Sequence, residues 1–575
     1  MQHEVQRTEG QLLSCRRWRQ FSPLAVGLFV LAMVLSTTVA GQTPQDRWTE
    51  LNAAAVKAYQ AGDYAVGIEA AEQALTLAKT NFGERSPLTL TSLNNLGFLY
   101  HRQGRYTEAE PLYTQALDLH RKVLGPTHPQ TLGSLNNLAG LYMRQGRHGE
   151  AEPLYTQALE LRREVLGPRH PDTLTSLNNL AVLYRTQGRY GEAEPLYTQA
   201  LELRREMLGP HHPSTLTSLN NLGVLYVRQG RYGKAEPLFT QVLEVSREAF
   251  GPRHPETLTS LNNLAVLYRT QGRYSEAEPL YTQVHELRRE VLGPRHPETL
   301  ASLNNLGVLY ERQGRFGEAE PLHIQALELR REVLGPHHPD TLTSLNNLAA
   351  LYRTQGRHGE AEPLYIQALE MRREVLGPRH PETLASLNNL GVLYEHQGRF
   401  GEAKPLLTQA LELRREVLGP HHPSTLTSLN NLAALYESQG RFGEAEPLYA
   451  QSLDLHREVL GPRHPSTLIS LNNLGILYDH QGRHGEAEPL LIQALELRRE
   501  VLGPDHPDTL ASLNDLGVLY ESQGRYGEAK PLLTQALALS EVVYGKNSPE
   551  TMEIRRSLEA LIQAEKSSPN GDGQP

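Results

Sequence analysis

The chain has 575 residues, 39% hydrophobic and 21% charged, with a net charge of −9. That balance excludes a membrane bundle, a disordered polyelectrolyte and a generally basic nucleic-acid binder. The only cysteine, Cys15, stands near the amino terminus, so a disulfide framework and a thiolate metal cluster are excluded as well.

Residues 24–35, LAVGLFVLAMVL, form the one strongly apolar run. Its 12 residues fall short of the roughly 20 that span about 30 Å of hydrocarbon. Arg16, Arg17 and Arg19 precede it, and Thr38 and Ala40 follow as small residues suited to a cleavage site. This layout predicts a secretory signal over residues 1–40, with export of a mature chain that starts at Gly41. The segment before the run is long and carries Glu4 and Glu9, and an uncleaved membrane anchor is the alternative. Cys15 precedes the run, unlike a lipoprotein cysteine.

Beyond the leader the sequence repeats. Asn-Asn pairs begin at Asn94, Asn136, Asn178, Asn220, Asn262, Asn304, Asn346, Asn388, Asn430 and Asn472, and Asn514-Asp515 is a further copy. Each step is 42 residues, and one step back reaches Asn52 in a degenerate copy. Twelve units therefore run from about residue 51 to 548, inside an array domain of residues 41–548.

Each unit predicts two short helices. In the first, Leu132, Leu135, Leu138, Ala139 and Tyr142 make one apolar stripe, with Pro129 at its start and Gly146 at its stop. In the second, Ala151, Leu154, Tyr155, Ala158, Leu159 and Leu161 make another, ended by Gly167-Pro168. Thr107 and Ser275 look like caps of second helices, and Pro153 falls at the edge of a first turn. One hairpin cannot bury two stripes alone, but stacked hairpins can. From Ala181 to Gly475 the small residue of the first helix alternates Ala and Gly, which points to duplication of a pair of units.

Leu135-x2-Leu138-Ala139-x2-Tyr142 followed by Ala151-x3-Tyr155 resembles a tetratricopeptide repeat. The 42-residue form, with SLNNLA, QGRY, EAEPLY and EVLG, is similar to the repeats of kinesin light chain and looks like the bacterial proteins that carry them. No heptad coiled coil precedes the array. The resemblance implies an all-α, right-handed superhelical solenoid of about twelve hairpins. Residues 549–565 would supply a capping helix, and 566–575 a disordered tail.

Reactive motifs are not found. No phosphate-binding loop, zinc-protease motif or nucleophile elbow occurs. Ten histidines recur in the G-P-x-H-P loop, one per unit, as at His128, His170 and His380. One per unit suits a turn residue at the start of the first helix, not converging metal ligands. Glu150 recurs nearly everywhere and reads as architectural. Arg162-Arg163 and their copies, alternating with Glu160 and Glu164, read as a solvated outer face. No catalytic residue, metal or cofactor is expected.

In the resembling family, first helices line a concave face that holds peptides, and an asparagine there bonds the peptide backbone. The resemblance thus assigns a peptide groove to Asn94, Asn136, Asn178, Asn220, Asn262, Asn304, Asn346, Asn388, Asn430, Asn472 and Asn514. Two variable residues precede each Gln-Gly. The set from His101-Arg102 to Arg353-Thr354 sums to +6 with histidine neutral, and includes Arg102, Arg144, Arg185, Arg228 and Arg269. The last four, Glu395-His396, Glu437-Ser438, Asp479-His480 and Glu521-Ser522, sum to −4. A polarised groove is the expectation. The function expected is a non-catalytic scaffold for extended peptides or partner proteins, without nucleic acid, and without a membrane once the signal is removed. The alternatives are a self-associating structural array and the regulatory subunit of an enzyme on another chain.

Overall fold

The computed structural model describes residues 43–567; the expected export signal and the tail beyond residue 567 lie outside them. The described residues form 25 helices and no strand. Unit 1 is α1 (Pro44–Ala61) with α2 (Tyr64–Phe82), unit 2 is α3 (Pro87–Arg102) with α4 (Tyr106–Leu124), and unit 3 is α5 (Pro129–Arg144) with α6 (His148–Leu166). The pattern repeats to unit 12, α23 (Pro507–Ser522) with α24 (Tyr526–Val543), and ends on α25 (Pro549–Ser567). That last helix runs two residues into what the sequence suggested as tail.

The punctuation of each unit is local chemistry. His128 caps α5, its Nδ1 accepting the Gln130 N–H at 3.2 Å, and Pro129 occupies the first turn, where no N–H is needed. At the other end Gly146 takes a left-handed φ of 72°. The Arg147 N–H then reaches back to the Tyr142 carbonyl at 2.8 Å and closes the helix. Thr173 ties consecutive hairpins, its hydroxyl donating to the Gly167 carbonyl at 2.9 Å. The second helices start earlier than expected. Arg105 and Arg273 precede α4 and its equivalent without a side-chain cap, so Thr107 and Ser275 lie inside the helices. Pro153 is consequently interior to α6, not at its edge, and costs the exposed Gly149 carbonyl its helical donor.

Leu132, Leu135, Leu138 and Ala139 of α5 are buried with Ala151, Tyr155, Ala158 and Leu159 of α6, and the pattern recurs along the chain. Each enclosed leucine contributes about 1.5–3 kcal/mol relative to exposure. A methyl at Gly223 would stand 2.7 Å from the Phe239 ring, so glycine there lets the two helices of one unit approach.

Candidate functional site

The array coils tightly enough for its two turns to touch. The end of each first helix in units 1–7 meets the start of the first helix six units later. Proline rings pack on the left-handed glycine corners: Pro423 on Gly188, Pro465 on Gly230 and Pro507 on Gly272 would each lie 2.6–2.8 Å from an added Cβ. Pro297, Pro339 and Pro381 cover Gly62, Gly104 and Gly146 in the same way, and Ser548, just before α25, covers Gly314. Beside each proline a histidine spans the seam. The His380 Nε2–H donates to the Arg144 carbonyl at 2.8 Å, while its Nδ1 accepts the Glu382 N–H at 3.1 Å. His338, His422, His464 and His506 repeat the bond to the carbonyls of Arg102, Thr186, Arg228 and Thr270 at 3.0–3.3 Å.

Charge follows the seam. Arg102 is half-buried, hydrogen-bonded to Tyr64, and within electrostatic reach of Asp340. Arg144 lies likewise against Tyr106, Glu382 and Asp340. Burial works against the Asp340 carboxylate, yet His338, Arg330, Arg144 and Arg102 hold it below the usual range. Burial pushes the His380 pKa down and the His464 pKa down to about 4.

The corresponding corners of the second turn are open. Gly356, Gly398, Gly440, Gly482 and Gly524 keep left-handed φ values of 69–73° but are exposed. Along this rim the variable residues bond to one another. The Ser438 hydroxyl donates to Glu395 at 2.6 Å, His480 Nδ1 meets Glu437 at 2.9 Å, and Ser522 reaches Asp479 at 3.3 Å.

The predicted site residues therefore fall in three places. Arg102, Arg144, Arg185, Arg228 and Arg269 end first-turn helices on the seam, with Arg185 and Arg269 only 8% and 6% exposed. They do not stand as open groove cations, because the second turn covers them. Asn136, Asn178, Asn262, Asn304, Asn346, Asn388, Asn430 and Asn472 are buried, and Asn94, Asn220 and Asn514 half-buried. Their amides join neighbouring units: Asn221 donates to Asn178 at 2.8 Å, Asn305 to Asn262 and Asn347 to Asn304 at 3.0 Å. Asp515 ends the ladder, accepting from Asn472 at 2.8 Å. These bonds join the asparagines between units, while Asn136 Oδ1, Asn388 Nδ2, Asn430 Oδ1 and Asn514 Oδ1 have no hydrogen-bond partner among the described residues.

Two further features were not legible in the repeat. Arg162 is buried, its Nη1 donating to Ser176 Oγ at 2.8 Å and the Asp172 carbonyl at 3.1 Å, and Arg204, Arg330, Arg372, Arg414 and Arg498 do the same. Only the second arginine of each pair, such as Arg163, belongs to the exposed outer face. Arg147 stacks on Tyr142 at 4.0 Å and bridges Glu150 in its own unit and Glu110 in the one before, at 2.6 and 2.7 Å. Glu150 is architectural through this staple.

The tetratricopeptide repeat matches the chain in eleven overlapping stretches between residues 46 and 541. The chain belongs to the tetratricopeptide repeat family. Among solved structures, two of a putative kinesin light chain with nearly identical TPR-like repeats from Podosopora anserina are 32% identical, one of them a single-substitution form. They cover 36% of this chain and 97% of their own, with a TM-score of 0.31. BtubC (BKLC) from P. vanneervenii is 22% identical over 44% of this chain and 93% of its own, with a TM-score of 0.33. No curated protein matches.

Tetratricopeptide arrays generally mediate protein interactions and are usually non-catalytic. One titratable pair in this array breaks the repeat: His323 and Glu311 stand 3.8 Å apart, 0% and 3% exposed. His323 occupies a position filled by tyrosine, phenylalanine or leucine in units 2–6 and 8–12, and that exception was the available sequence signal. Enclosed in this way, the pair meets no solvent-borne substrate.

Proposed function

We propose that the chain is a non-catalytic scaffold that docks a protein along the open rim of units 8–12. One observation carries the proposal. The glycine corners that grip a helix start in the seam recur five times on this rim, where they are exposed. The adjoining residues are also among the more variable positions between otherwise matching units. A repeated receptor with variable side chains suits partner selection, and the asparagines, already bonded between units, suit it less. Export belongs to the same proposal and rests on the layout of residues 16–40.

A photo-crosslinking residue at Ser438 or Ser522, compared with one at Gln157 on the outer face, tests the docking surface in the native source. Protein adducts should form from the rim positions and not from Gln157. No adduct at the rim, or equal yields at all three positions, refutes the reading.

A further inference from the structure

The seam inside the molecule shows what an open corner accepts. We propose that the partner on the open rim is a second copy of this chain, stacked head to tail so that its first turn prolongs the seam. This rests on the rim being a docking surface. An occupied corner holds a proline ring, and its neighbouring carbonyl takes an imidazole N–H. The first turn of another copy carries these same groups at free helix starts: His128-Pro129, His170-Pro171 and His212-Pro213, each histidine already capping its helix through Nδ1. Backbone shape is thus matched where units 3–5 meet the rim, since these are copies of units that meet already, whereas units 1 and 2 open with Thr43-Pro44 and Ser86-Pro87.

The register follows from α25. It fills the thirteenth position against Gly314, so α1 of the incoming copy takes the fourteenth, against unit 8. Arg353 then faces Asp46, opposite charges as at Arg102 and Asp340 in the seam. Glu437 faces the start of unit 3, where the second residue is the neutral Gln130, and Glu521 faces unit 5, where it is Ser214. In the seam, Arg102 and Arg144 meet helix starts that carry Asp340 and Glu382, while Arg185 and Arg228 meet those that carry Ser424 and Ser466. At Glu395, Glu437 and Glu521 of the open rim, carboxylates meet helix amino termini that lack an acid, those of Leu88, Gln130 and Ser214, and the helix dipole favours an anion there. Asp479 opposite Asp172 is the exception, and His480 and His484 lie beside it. Such a contact is heterologous and does not close, so it builds filaments that continue the superhelix.

Sedimentation velocity and light scattering on the full chain across the micromolar range test this. Mass should rise with concentration and fall with salt. Gln130→Glu with Ser214→Asp places acids opposite Glu437 and Glu521. Matching units already carry those side chains as Glu382 and Asp340, so the fold tolerates them. Association should weaken at least about tenfold. Adding Ser438→Arg and Ser522→Arg, which copy Arg144 and Arg228 in the seam, should restore it. A chain that stays single throughout, or assembly indifferent to Q130E/S214D, overturns the proposal. If the chain stays single while Ser438 crosslinks to a different protein, docking stands and self-stacking falls; no rim adduct refutes both.

Discussion

The two turns are made of near-copies of one unit, yet their rims have opposite characters. In the first turn Gly146 and Gly188 are buried under prolines and the neighbouring residues are mainly basic. In the second turn Gly440 and Gly482 are exposed and the neighbours are mainly acidic. The same backbone motif is a core contact in one turn and a surface in the other, so what a repeat residue does depends on how many units follow it. A one-dimensional array in which each unit touches only its neighbours is therefore too simple for this chain.

The sharpest way to break the comparison is to add one methyl to each kind of corner. Gly188→Ala and Gly440→Ala share the left-handed strain of about 1–2 kcal/mol, at φ values of 75° and 69°. Only Gly188→Ala also drives a carbon into Pro423, adding about 1–3 kcal/mol of overpacking. Urea unfolding midpoints should separate the two variants, and equal losses would mean that the turns do not touch in solution.

Removing charge gives a smaller contrast. Arg144→Ala strips the seam of the cation facing Glu382 and should cost about 1–3 kcal/mol, less than a fully buried pair because the site is half-buried. Arg353→Ala on the open rim should stay within about 0.5 kcal/mol. Thermal unfolding of both variants in parallel reads the difference.

Acid should loosen the seam. The folded pKa of His464, about 4, lies below its ordinary 6.5. Between those values the opened chain binds more protons than the closed one, so the seam's stabilisation is full above pH 6.5 and is lost as pH falls toward 4. Glu382 opposes this trend at His380, whereas Arg144 and Arg372 reinforce it. Small-angle scattering should show a longer particle at pH 5 than at pH 7, and His380→Gln with His464→Gln should flatten that dependence.

The smallest effect belongs to the exposed ladder on the open rim. Ser438→Ala removes one hydrogen bond to Glu395 and should change stability by under about 1 kcal/mol. A larger loss in urea unfolding would make the rim a structural element, with the same standing as the seam.

Sequence periodicity revealed what 42 residues can encode. Pro129, Gly146 and Gly167 mark helix ends, and the leucine stripes of α5 and α6 mark the buried faces. Arg162 misled because an arginine pair late in a helix looks solvated until its partners, Ser176 and the Asp172 carbonyl, arrive from the next unit. The asparagines are ambiguous in sequence because a polar pair on a first helix fits a groove as well as a ladder. The seam was out of reach for a different reason: it depends on the small rotation from each unit to the next, summed over six, which no single unit spells out. Its trace was nevertheless present. The change from Arg353 to Glu395 falls one unit beyond Gly314, where the second turn stops covering the first.

The imidazole bonds of the seam also make this protein a coil spring with its loops touching. Pulled along its axis, it meets the histidine–carbonyl bonds and their proline contacts before any hairpin is disturbed. Each such bond is worth only about 0.5–1.5 kcal/mol net, against the leucine-rich contacts between adjacent units. The molecule should therefore be stiff at first, then lengthen greatly at nearly constant helix content. When the pull ends it should recoil, because nothing within a unit has been lost.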